Sequence, residues 1–128
     1  MQMNMDEFQF FDGKSYELDI YEHFKALLDE MSCEYSIKVQ KTQISFYNCH
    51  MFACVSFAKV KRKAELPPHW LVLTFGLSYP KQSDRIAVCT EAARNRFTHH
   101  MVIADSEELD AEIMGWIKEA YEFSVNKR

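Results

Sequence analysis

Two runs of the chain, MFACVSFA at 51–58 and WLVLTFGL at 70–77, are apolar at successive positions rather than at alternate ones. A strand with one wet face alternates, whereas a strand apolar on both faces belongs in the middle of a sheet with groups packed on each side. These two runs therefore demand a sheet with further strands around them. Between them lie the charged stretch Lys59-Val60-Lys61-Arg62-Lys63 and the pair Pro67-Pro68. Neither continues a ladder, because proline lacks the donor and a basic run prefers water.

On both sides of this sheet-forming region the apolar period changes to that of a helix. Ile20, Phe24, Leu27, Leu28 and Met31 follow the i, i+4, i+7, i+8 rule, with Glu22, Lys25 and Asp29 on other faces. The spacing predicts an amphipathic helix over 19–32, capped by Asp19. Near the other end Leu109, Ile113, Trp116, Ile117, Ala120 and Tyr121 make a second stripe. Asp105 with Glu108 three residues later is a capping-box spacing and predicts that this helix starts at Ser106. Met5, Phe8 and Phe11, followed by Gly13, suit a short additional helix with a glycine cap.

The remaining strands are read from alternation. Ile37 and Val39 are in one phase, Ile44 and Phe46 in the other, so a bulge or bend within 40–43 is expected to keep both pairs on the same side. Asn48-Cys49-His50 reads as a tight turn in which Asn48 takes a positive φ. In the stretch 96–103, Phe97, His99, Met101 and Ile103 point one way and Thr98, His100 and Val102 the other. The long piece 79–95 reads as an irregular connection. The expected class is α+β: one mainly antiparallel four-stranded sheet packed by an N-terminal and a C-terminal helix.

The 128 residues, almost half of them apolar, fit one domain, and no Gly/Ser/Pro-rich linker divides them. The expected organisation is a single domain over 1–128, with 1–17 as an N-terminal extension. A net charge of −4 with both signs interspersed argues against a protein that coats nucleic acid or an anionic membrane. Residues 1–11 lack the basic and apolar regions of a signal peptide, and nowhere do ~18 apolar residues run together. The expected location is cytoplasmic, with no membrane partner. Cys33, Cys49, Cys54 and Cys89 show no paired spacing, so reduced thiols are expected.

The segments KVQKTQISFYNCHMFACVSF, NRFTHHMVIADSEELD and EIMGWIKEAYEFS resemble the bacterial family known as domain of unknown function 5655. The likeness covers roughly 18–124 and rests on the hairpin, the Arg96 to His99 piece and the Trp116 to Tyr121 end of the last helix. It implies the same α+β layout and a bacterial cytosolic protein. It implies no reaction and carries no catalytic residue to any position here.

The polar cluster that stands out is Arg85, Arg94, Arg96, Thr98 and His100. Alternation puts Arg96, Thr98 and His100 on one strand face, and a guanidinium beside a hydroxyl and an imidazole suits a carboxylate or phosphate. The competing reading is a polar strand edge satisfied by acids from the helices. His99 and His100 face opposite ways and do not readily share a metal. Gly13, Gly76 and Gly115 are isolated, so there is no phosphate-cradling loop, and no nucleophile elbow is present. The run 59–63 suits nucleic-acid phosphates less well than it suits a solvated connection, given the acidic whole. The reading that follows is a non-catalytic binding module for a small anionic ligand, with no cofactor and no metal. A homodimerising interaction domain is the alternative, and an enzyme or nucleic-acid binder ranks below both.

Overall fold

The two doubly apolar runs become β3 (Met51–Ser56) and β4 (Leu71–Leu77), neighbours at the centre of a six-stranded sheet. The computed structural model describes residues 5–126; residues 1–4 and 127–128 of the expected 1–128 domain lie outside them. The other strands are β1 (Ser36–Val39), β2 (Gln43–Tyr47), β5 (Val88–Ala93) and β6 (Arg96–Ile103), in the spatial order β1-β2-β3-β4-β6-β5. Every neighbouring pair is antiparallel.

Three helices, α1 (Met5–Phe10), α2 (Ser15–Glu30) and α3 (Ala111–Asn126), complete the α+β layout. Cross-strand register explains how they share one core. Phe46, Ala53, Phe75 and His99 form a row across β2, β3, β4 and β6 and therefore point to one face. Phe24 of α2 meets Phe46 edge-on at 5.3 Å, and Trp116 of α3 lies over Phe75 at 6.2 Å. Ile20, Leu28, Ile113 and Ile117 fill the space between helices and sheet. Phe11, just after α1, is buried against Tyr21 and Phe57.

The sheet has six strands where the sequence pattern suggested four. The phase slip at 40–43 is a hairpin turn rather than a bulge: Gln40 N–H bonds to the Gln43 carbonyl at 2.8 Å, and Val39 pairs with Ile44. The sixth strand is β5, inside the stretch expected to be irregular. Helix α2 starts four residues before Asp19, at Ser15, so Asp19 lies within it and does not cap it. Asp105 caps a short 3₁₀ turn, Ser106–Glu108, by accepting the Glu107 N–H at 2.9 Å. Helix α3 begins later, at Ala111, where Asp110 accepts the Ile113 N–H at 3.1 Å. The positive φ expected at Asn48 occurs instead at Asn95, 59°, in the β5–β6 turn.

The face opposite the core row carries small polar side chains. Ser45, Cys54, Thr74 and His100 stand side by side across four strands. Thr74 Oγ1 and His100 Nδ1 are 2.8 Å apart, and Ser45 Oγ bonds with Gln40 and Gln43. These contacts satisfy groups that are costly to bury alone.

Candidate functional site

Pairing between β3 and β4 stops at Ala53 and Phe75, although both strands run on past that point. A bulge between Phe46 and Tyr47 sets Tyr47 opposite Met51, so that Phe52 is an extra residue on its strand. Bulges bend and twist the strand that carries them. On β4 the next position is Gly76, which has no side chain to fill the gap.

The result is a cavity of about 180 Å³ at this end of the sheet. Its walls are largely apolar, with Met51, Phe52, Phe97 and Phe123 among them, and the last turns of α3 close one side. The polar atoms that face it are mostly engaged elsewhere. Ser124 Oγ donates to the His50 carbonyl at 2.9 Å, and Thr74 pairs with His100. Two groups are different. Arg96 and Thr98, two residues apart on the same face of β6, line the cavity, and neither side chain has an ion pair or hydrogen bond among the described residues. Arg96 is exposed and marks the mouth; Thr98 sits opposite Gly76.

The five residues singled out in the sequence are therefore not one cluster. Arg96 and Thr98 are brought together at the cavity. His100 follows on the same face but is turned to Thr74, and burial pushes its pKa down, which keeps it neutral. Arg94 is exposed in the β5–β6 turn. Arg85 lies beside Val102 and Ile103, at the opposite end of β6. Its guanidinium bonds to Asp110 at 3.0 Å, to Glu112 at 2.9 Å and to the Glu108 carbonyl at 2.8 Å. Those bonds raise the Arg85 pKa and hold the Asp110 carboxyl below the ordinary carboxylate range. Arg85 ties the 79–87 connection to the start of α3.

A second polar group surrounds His99 on the core face. Its Nε2 accepts the Lys81 N–H at 2.9 Å. The Lys81 ammonium pairs with Glu119 at 3.1 Å and lies over the rings of Tyr79 and Trp116. Tyr79 also donates its hydroxyl to Glu119. Apart from the buried His99 Nδ1, which has no hydrogen-bond partner among the described residues, charge and hydrogen bonds close on themselves here, and this group fastens the 79–87 connection to α3. Among the described residues, no three His, Cys, Asp or Glu side chains converge as metal ligands.

Gly76 was passed over in the sequence because it belongs to no glycine motif. An isolated glycine within an apolar strand does carry a signal, since it marks a bulge or a place that something else approaches. The family model described as Domain of unknown function (DUF5655) matches residues 8–124, nearly the whole chain. No curated protein and no solved structure gives a significant match. Among the described residues no helix is long and apolar enough to cross a membrane.

Proposed function

The chain belongs to the DUF5655 family, and we propose that its domain is a non-catalytic module that binds a small anion at the cavity beside Arg96. One observation carries the reading: a guanidinium with no partner among the described residues stands at the mouth of a preformed cavity. A guanidinium with no acid partner is a ready bidentate donor for a carboxylate or phosphate oxygen pair. Thr98 adds a hydroxyl one strand step further in. Arg85, by contrast, already has its acids and takes no part.

The test is an NMR titration at low ionic strength with acetate and, separately, inorganic phosphate, followed at the Arg96 Nε–H and at the Gly76 and Thr98 amides. Saturating shifts are expected at those positions and not at Arg85, and added sodium chloride weakens them. Shifts that never saturate, or that are as large at Arg94 and the surface lysines, contradict the reading.

A second reading, a homodimer, draws on β5. This edge strand is exposed at five of its six positions and carries a single charge, Glu91. An edge of that kind offers free backbone groups to another strand. Native mass spectrometry separates the readings: a stable dimer that Thr90→Pro abolishes supports pairing through β5, and a monomer at micromolar concentration removes it.

A further inference from the structure

We infer that the anion is a monocarboxylate carrying one compact apolar group, an aryl ring or a short branched alkyl chain, rather than a phosphorylated or polyanionic metabolite. The inference rests on the small-anion reading of the Arg96 cavity and narrows its ligand.

Volume is the first argument. A dry apolar cavity of roughly 150 Å³ accepts benzene, and this one measures about 180 Å³. That is below the usual range for drug-sized ligands, about 300–1,000 Å³. One ring or a branch of similar size fills it. A nucleotide or sugar phosphate does not fit.

The charge supply is the second. A phosphate monoester carries roughly −1.5 to −2 charges at neutral pH and is held by several donors. Among the described residues, one guanidinium lines this cavity. Arg85 is bound to Asp110 and Glu112. A single carboxylate matches a single fork.

The walls are the third argument. Met51, Phe97 and Phe123 offer no hydrogen bonds to a polar ligand body, and the hydroxyls of Thr74 and Ser124 are already bonded. Taking a polyhydroxylated ligand into such a place forfeits its hydration with little beyond the Thr98 hydroxyl to replace it. An apolar group loses nothing comparable. With Arg96 exposed at the mouth, the carboxylate stays partly hydrated while the ring is buried.

Calorimetric titration of the full chain with benzoate, benzyl alcohol and inorganic phosphate tests this, using wild type, Arg96→Ala, Arg96→Gln and Gly76→Leu, each checked for a cooperative melt. A Cβ at Gly76, which lines the cavity, meets nothing nearer than the Phe97 carbonyl at 3.9 Å, so a side chain there does not clash at its root. Benzoate is expected to bind with one-to-one stoichiometry, to weaken roughly tenfold or more in both Arg96 variants, and to be lost in Gly76→Leu. Benzyl alcohol is expected to bind at least about tenfold more weakly, for want of the charge. Phosphate that saturates at Arg96 while benzoate does not overturns the ligand class and leaves the small-anion reading standing. Benzyl alcohol binding as tightly as benzoate, or saturation by none of the three, overturns both.

Discussion

The imidazole of His99 lies flat on the ring of Phe75, with centroids 4.7 Å apart and planes within 5°. The same imidazole accepts the Lys81 backbone N–H through Nε2, so one buried ring joins the sheet to the connection that precedes β5. Its Nδ1 makes no close hydrogen bond among the described residues. Burial pushes the His99 pKa down, the carbonyls of Phe75 and Phe97 pull the other way, and the nearby Lys81 charge adds a smaller push down.

A pH dependence follows, and its sign is fixed. The folded state holds His99 neutral below the pH at which the unfolded chain, near the ordinary ~6.5, takes up a proton. Unfolding therefore binds a proton between the lowered folded pKa and that value, and stability falls as pH drops through the window. His100, also lowered by burial, acts in the same direction. Urea midpoints should be level from about pH 8 to 7 and decline from about pH 6.5 to 5. Protonation at Nε2 also displaces the Lys81 donor, so exchange of the Lys81 amide should accelerate over the same range beyond its intrinsic pH dependence. A midpoint independent of pH in that range contradicts the assignment.

Arg85 is a fastener and not a ligand group. Arg85→Ala should lower the melting temperature by a few degrees, since its ion pairs are partly exposed. It should leave benzoate affinity unchanged. A loss of affinity equal to that of Arg96→Ala would return Arg85 to the site.

The hold of α1 on the domain rests on a buried pair. Lys25 meets Glu7 at 2.7 Å with both side chains almost fully covered, and Tyr21 donates to the same carboxylate. Lys25→Met should cost roughly 3–5 kcal/mol, because it removes the buried cation that balances the Glu7 carboxylate. Glu7→Gln combined with Lys25→Met should recover a good part of that loss. A double-variant cost equal to the sum of the two single-variant costs in chemical denaturation would show that the pair is not coupled.

How far the residues announced this architecture depends on where the deciding contacts lie. The helix stripes and the two central strands were legible because burial repeats at short spacing. Strand β5 was not: Val88–Ala93 is an edge, exposed on nearly every position, so no alternation marks it, and only pairing with β6 defines it. The slip at 40–43 looks identical for a bulge and a turn, because both reverse the apolar phase, and no glycine, proline or asparagine lies in Gln40-Lys41-Thr42-Gln43. The partnership of Arg96 with Thr98 was legible from alternation along one strand. Arg85 was misplaced because its acids, Asp110 and Glu112, come from more than twenty residues away. The cavity had no local signature beyond Gly76, since it exists only where β3 and β4 part.

Filling that cavity should stabilise the empty protein or leave it unchanged. Gly76→Leu adds apolar contacts in a strand and relieves no needed backbone freedom, as Gly76 has no positive φ. A melting temperature equal to or above wild type is expected in a thermal scan. A large drop would mean that the space is already occupied by neighbouring side chains.

The central claim is that the space between the ends of β3 and β4 receives the apolar part of an anion held by Arg96. A crystal structure of the protein grown with saturating benzoate tests it most directly. A ring is expected between Gly76 and Phe123 with its carboxylate within hydrogen-bond distance of the Arg96 guanidinium. A vacant cavity with Arg96 turned to solvent, or benzoate seated at Arg85 instead, would contradict it.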